Sequence, residues 1–187
     1  MSIVTKTGDR GKTRLLSGEE IAKADQRIEA FGVIDELNSH IGFARALTEK
    51  YGGRCSQVAR EMQELQLDLA RLASEMACID PASHKWVDVT QLRHVEHIEK
   101  RIQALEKEID LPRSFIIPGA CEASAALDIA RAVARRLERQ VAILAREGSY
   151  KNEQGLIYLN RLSDYLFLLA RNIECCAGIA FCTKEKQ

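Results

Sequence analysis

The sequence predicts an all-α protein, a bundle of five helices preceded by a functional N-terminal loop, and two observations carry that expectation. Apolar residues recur at alternating three- and four-residue steps through five long stretches separated by turn residues, the spacing of one buried helix stripe. No stretch competes with the two-residue alternation of a half-buried strand. At 187 residues and 21.0 kDa the chain fits a single domain over 1–187, with a loop over 1–24 and helices over 25–187.

The first helix is capped by Asp25 and carries Ile28, Phe31, Ile34, Leu37 and Ile41 inward. Asp35 borders this stripe, where an acid needs a cationic partner or solvent; Arg131 is a candidate. Tyr51-Gly52-Gly53 breaks the chain before a second helix with Val58, Met62, Leu65, Leu69, Leu72 and Met76 in strict four-three alternation, a bundle seam. Asp80-Pro81 ends it. Thr90 is expected to cap a third helix with Leu92, Val95, Ile98, Ile102, Leu105 and Ile109 inward, stopped by Pro112. The fourth turns in Leu127, Ala130, Ala134, Leu137, Val141 and Leu144, with Arg131, Arg135 and Glu138 alongside, and Gly148 closes it. The fifth, from about Glu153, buries Leu159, Leu162, Leu166, Leu169 and Ile173; beside them Asn160, Asp164, Phe167 and Arg171 form a mixed stripe facing solvent, a helix, a subunit or a ligand.

Charge and composition exclude several function classes. Lys+Arg and Asp+Glu are equal at 27 each, so no net basic field gathers nucleic acid or anionic lipid, and any bound anion must be held by a local cluster. The opening Met-Ser-Ile-Val-Thr-Lys lacks a signal-type apolar run and no stretch is long enough to span a bilayer, so a cytoplasmic protein without a membrane partner is expected. The six cysteines include no CxxC pair, which suits neither a zinc knuckle nor a disulfide framework. His94 and His97 stand three apart but lack an accompanying carboxylate motif. No histidine follows a glutamate by three residues, so the signature of di-iron bundles is missing.

Three local clusters remain. Thr5-Lys6-Thr7-Gly8-Asp9-Arg10-Gly11-Lys12-Thr13 is rich in hydroxyls, glycine and positive charge. Gly8 lies too close to Gly11-Lys12-Thr13 for a P-loop, yet converging backbone N–H groups, hydroxyls and lysine still suit phosphate oxygens; a frayed tail is the competing reading. The connection Ser114-Phe115-Ile116-Ile117-Pro118-Gly119 is unusually apolar, so Phe115 either tucks into the bundle end or faces a large apolar ligand. The arginines of the fourth helix either shield the bundle edge with their stems or meet an anion.

Four stretches in order resemble the PduO-type ATP:cob(I)alamin adenosyltransferases: TKTGDRGKT from Thr5, IAKADQRIEAFGVIDELN from Ile21, FIIPG with the arginine helix through RRLER, and LNRLSDYLFLLAR from Leu159. The resemblance implies transfer of the 5′-deoxyadenosyl group of ATP to the cobalt of a reduced corrinoid, with Mg²⁺, in a homotrimer whose active sites lie between subunits. It places Thr5, Lys6, Thr7, Gly8, Thr13, Arg14 and Lys23 over ATP, with Arg135, Arg136, Leu137, Glu138, Arg139 and Asn160 completing the nucleotide site. Asp35 and Arg131 match a salt bridge across the subunit contact, and Phe115 matches the aromatic that fills the lower face of the corrin. Arg135, Phe115, Asp35 and Arg131 thus carry the catalytic roles. A cobalamin reductase and an adenosylcobalamin-dependent enzyme are the implied protein partners. Ala120 departs from the family pattern, where a second glycine is common after Pro118-Gly119. Two other classes fit parts of the chain: a non-catalytic scaffold explains the apolar seams, and another ATP-binding transferase or phosphohydrolase explains the loop and arginines without Phe115.

Overall fold

The computed structural model describes Val4, Lys6 and residues 8–184. Five helices, α1 (Gln26–Thr48), α2 (Cys55–Met76), α3 (Leu92–Glu108), α4 (Glu122–Arg146) and α5 (Glu153–Ala177), follow a short antiparallel hairpin of β1 (Lys12–Arg14) and β2 (Glu20–Ala22). In the hairpin Thr13 pairs with Ile21. The sequence pattern predicts only a loop over this segment. Its strands are three residues long, too short to display an alternating pattern, and the hairpin forms where Gly18 supplies the positive φ of its turn.

Helix α4 packs between α1 and α5; α2 flanks α1, α3 flanks α5, and α2 also touches α5, closing the bundle around one continuous core. The six apolar residues expected inward on α4 are all buried, as are the five on α5. Local chemistry fixes the helix starts. Asp25 accepts a bond from the Arg27 amide at 2.8 Å, and Asn152 accepts from the Gln154 amide at 3.0 Å. Cys121 and Ser124 form a reciprocal capping box at α4, and Gly178 takes the left-handed conformation that ends α5.

Four expectations change in three dimensions. Thr90 does not cap α3: Gln91 does, with the His94 side chain accepting from the Gln91 amide at 2.9 Å, while Thr90 is buried against Glu75. Leu92, the first residue of α3, is 57% exposed, while Val95 one turn on is buried. Phe31 is 41% exposed and walls a cavity beside the hairpin. Arg171, expected on a polar stripe, is completely buried by two acids that neutralise it.

Candidate functional site

The predicted site residues fall on two faces of the chain. The first face belongs to the hairpin and the α1/α2 side. Gly8 starts a turn closed by the Gly11 amide donating to its carbonyl at 3.3 Å, and the Lys23 amide donates to Gly11 at 2.8 Å, so the strand ends are tied together. A Cβ at Gly8 would lie 2.9 Å from Lys23 Nζ, which shows how closely the lysine head approaches the glycine turn. Thr13, Arg14 and Lys23 line a cavity of about 910 Å³ whose other wall is Ile28, Phe31 and Ala73. Lys6 is exposed with a positive φ of 59°. Thr5 and Thr7 lie outside the described residues.

The second face belongs to α4 and α5. Arg135 is exposed and shares a recess of about 290 Å³ with Arg131, Ser163, Asp164 and Phe167. Arg136 and Arg139 line a groove of about 530 Å³ with Pro118, Gly119 and Ile129, and Arg131 borders both spaces. Asn160 donates to Glu138 at 2.9 Å and accepts from Arg161 at 2.6 Å, while Arg161 donates to Glu99 at 2.9 Å, so the amide is held in place from both sides. Arg136 is ion-paired with Glu36 of α1.

Among the described residues no ion pair engages Lys6, Lys23, Arg135 or Arg139. Most of the other cations of this charge-balanced chain that sit near the core are matched: Arg27 caps the carbonyls of Met76 (3.0 Å), Cys78 (2.9 Å) and Ser149, while Arg101 and Arg171 meet buried acids. The heads of Lys6, Lys23, Arg135 and Arg139 stand at the surface on the two faces, where they are accessible to an external anion.

Phe115 is 74% exposed, yet its backbone is pinned. Its carbonyl accepts from Lys184 at 3.1 Å, the Ile117 amide donates to Cys182 at 2.7 Å, and Ile116 bridges Thr183. An apolar ring on a braced loop beside Pro118-Gly119 is a shelf facing outward, not a plug in the bundle end.

One assignment is corrected, and one pair is not formed within a single chain. Leu137 is wholly buried in the core, because the 100° step between consecutive helix residues turns it away from the face carrying Arg135 and Arg136. Within the chain Arg131 does not reach Asp35: its Nε lies 3.3 Å from Asp128 Oδ1, and exposed Asp35 has no ion-pair partner among the described residues. Sequence reasoning placed Arg171 on the mixed stripe of α5 but missed its partners Asp128 and Glu174, and missed Glu75, which accepts from Thr90, Tyr150 and Asn152.

The two faces, one glycine- and lysine-bearing and one arginine-bearing, have a counterpart among known proteins. The model of the family described as cobalamin adenosyltransferase matches residues 3–173. The chain belongs to that family. Relatives include the corrinoid adenosyltransferase of Bacillus subtilis (strain 168), 37% identical over 179 residues covering 96% of this chain and 90% of that protein. The corrinoid adenosyltransferase MMAB of Mus musculus is 39% identical over 176 residues, covering 90% of this chain and 71% of that protein. In three dimensions the chain matches a variant PduO-type ATP:corrinoid adenosyltransferase from Lactobacillus reuteri complexed with cobalamin and ATP, with a TM-score of 0.88, 31% identity, and 99% and 97% of the two chains covered. A family bundle of this kind is what the five apolar stripes built.

No group of three or more His, Cys, Asp or Glu side chains among the described residues is arranged to hold a metal ion. The described helices also include none long and apolar enough to cross a membrane.

Proposed function

We propose that the chain transfers the 5′-deoxyadenosyl group of ATP to the cobalt of cob(I)alamin or a related corrinoid, giving an adenosylated corrinoid and triphosphate. The whole of 1–187 acts as one catalytic domain. The observation that carries this reading is the placement of cations without an ion pair among the described residues at two recesses, Lys23 at the hairpin cavity and Arg135 and Arg139 along α4, together with the exposed ring of Phe115 on the loop before α4. A polyphosphate answers the first feature and a large apolar ring system the second.

Cob(I)alamin brings its own nucleophile, since the reduced cobalt attacks the ribose 5′ carbon directly. The residues present need supply no serine, cysteine or histidine nucleophile; their work is placement and charge. The bond from cobalt to C5′ forms as the bond from C5′ to the triphosphate oxygen breaks, and negative charge accumulates on the departing chain. Arg135, Lys6 and Lys23 stabilise that charge, with Arg136 and Arg139 alongside and Thr13, Arg14 and the Gly8 turn closing over the nucleotide. Glu138 and Asn160, already bonded to each other, are set to orient it. Mg²⁺ arrives with ATP: lacking a cluster of protein ligands among the described residues, it would be held chiefly by the phosphates and would neutralise part of their charge. Phe115 occupies the lower face of the corrin and excludes an axial base, which favours reduction of cobalt because a fifth ligand stabilises the higher oxidation state.

The two faces lie on different sides of one chain, α1/α2 for Lys23 and α4/α5 for Arg135. We therefore read the working unit as a homotrimer whose active sites are completed by a neighbouring copy, with Asp35 of one subunit meeting Arg131 of the next. A cytoplasmic setting, a cobalamin reductase upstream and an adenosylcobalamin-dependent enzyme downstream complete the reading. Anaerobic incubation of the purified protein with ATP and chemically reduced cobalamin tests it. Triphosphate with a light-sensitive alkyl-cobalt product is expected; phosphate or diphosphate without a corrinoid product, or no reaction, refutes it. A solution mass other than three times 21.0 kDa refutes the trimer.

A further inference from the structure

Arg171 is fully buried although it lines neither half of the site described above. Its Nη2 donates to Asp128 Oδ2 at 2.6 Å and to Glu174 Oε1 at 3.0 Å, and its Nε lies 3.0 Å from Glu174 Oε2. The remaining oxygen of Asp128, Oδ1, takes Arg131 Nε at 3.3 Å. Two cations and two anions thus form a neutral chain from the α5 interior to the surface of α4. The Arg171 guanidinium also stands 5.2 Å over the ring of Phe167, which, like Arg131, walls the recess containing Arg135.

Such a cluster is an expensive way to stabilise a bundle. Burying an ion pair costs about as much as its attraction returns, and well-packed apolar residues in its place are often neutral or better. Arg171 Nη1 finds no acceptor among the described residues, so the charge is not even fully satisfied. What an apolar replacement cannot do is direct a carboxylate. The Arg171 Nη2 donor, shared between Asp128 and Glu174, holds Asp128 by Oδ2, and the carboxylate so held leaves its second oxygen to the more exposed arginine.

We infer that Arg171 is a positioning residue of the adenosyl-transfer site: by locking Asp128 it aims Arg131 into the recess beside Arg135. Glu174 holds Arg171 from the other side and so belongs to the same relay. The inference rests on the reading of Arg131 as part of the active site. It adds the interior residues that set this arginine's direction before any second subunit arrives, so that Arg131 is presented to its partner already oriented.

The test is a double-mutant cycle on the full chain, with kcat/KM for adenosyl transfer measured at a temperature where every variant is folded by circular dichroism. Arg131→Ala and Asp128→Asn should each lower kcat/KM by about tenfold or more, the scale expected when a binding group is misplaced by an ångström. The double variant should fall no further than Arg131→Ala alone, because the two act through one side chain. Arg171→Met should match Asp128→Asn in activity and also lower the thermal midpoint, because it strands two buried carboxylates, whereas Arg171→Lys should recover part of the lost activity. Wild-type kinetics for Asp128→Asn and Arg171→Met beside an impaired Arg131→Ala would overturn the relay and leave Arg131 in the site. Wild-type kinetics for Arg131→Ala would overturn the assignment of Arg131 itself, and the relay with it. Losses that multiply in the double variant would also overturn the relay. If Arg171→Met does not fold, Arg171→Lys paired with Arg131→Ala decides in its place: a kcat/KM for Arg171→Lys equal to wild type, or losses that multiply in the pair, overturns the relay.

Discussion

Two regions of this bundle are crowded with charge and treat it in opposite ways. Along α2, Glu61, Asp68 and Glu75 recur every seven residues, and each accepts a phenol proton: from Tyr165 at 2.6 Å, Tyr158 at 2.8 Å and Tyr150 at 2.8 Å. Arg101 pairs with Glu61 and Arg71 lies 3.4 Å from Asp68, so every acid of this ladder is answered from within the chain. On α4, by contrast, Arg135 and Arg139 reach the surface with no ion-pair partner among the described residues, and Phe115 is exposed nearby in sequence. A polar group whose neighbours already complete it specifies structure. A polar group left incomplete on a rigid helix specifies a ligand, because the missing charge must come from outside.

The contrast can be broken by substitution. The largest effect is expected at Glu75, where Glu75→Ala strands Tyr150, Asn152 and Thr90 without their shared acceptor and should lower unfolding stability by about 3–5 kcal/mol in chemical denaturation. Arg135→Ala should leave the helical circular dichroism and the denaturation midpoint unchanged yet reduce kcat by roughly 10²–10³-fold, the usual worth of one donor to developing charge. Unaltered steady-state kinetics would remove Arg135 from the reaction. Phe115→Ala should retain ATP binding but lose the four-coordinate cob(II)alamin spectrum; a variant with that spectrum intact would take the ring out of the mechanism. Tyr158→Phe should be milder, about 1–2 kcal/mol of stability with activity preserved.

The smallest effect separates the regions by pH. Burial pushes the phenols of Tyr150, Tyr158 and Tyr165 above their ordinary value of 10.0, and the neighbouring acids Glu75 and Asp68 push the first two further. A group whose pKa is raised by folding stabilises the native state below its unfolded pKa and loses that contribution as pH climbs toward the folded one. Stability should therefore decline above about pH 10, by at most about 1.4 kcal/mol per pH unit for each phenol. The decline should be shallower in Tyr158→Phe, and a pH profile identical to the wild type would show that this phenol is not perturbed.

Much of the bundle was legible before folding because helix periodicity is a one-dimensional property. Leu127, Ala130, Ala134, Leu137, Val141 and Leu144 could be assigned inward from spacing alone, and Asp25 could be read as a cap from its place before a stripe. The same rule misplaced residues at the margins. Phe31 and Leu92 obey the spacing yet stand exposed, Phe31 as the wall of a cavity between the hairpin and α2. Thr90 looked like a cap because threonine usually is one, but a buried carboxylate 15 residues earlier claimed both its amide and its hydroxyl.

By itself, then, the sequence determined the five helices, their inward faces, the glycine- and lysine-bearing start and the arginine face of α4, since each depends on residues a few positions apart. Only the tertiary structure decided which charges are spent inside the molecule. Arg171 and Arg135 belong to neighbouring helices and are alike in sequence, yet one is wrapped by Asp128 and Glu174 while the other has no ion-pair partner among the described residues. That distinction rests on side chains brought together from distant parts of the chain, and no local spacing encodes it.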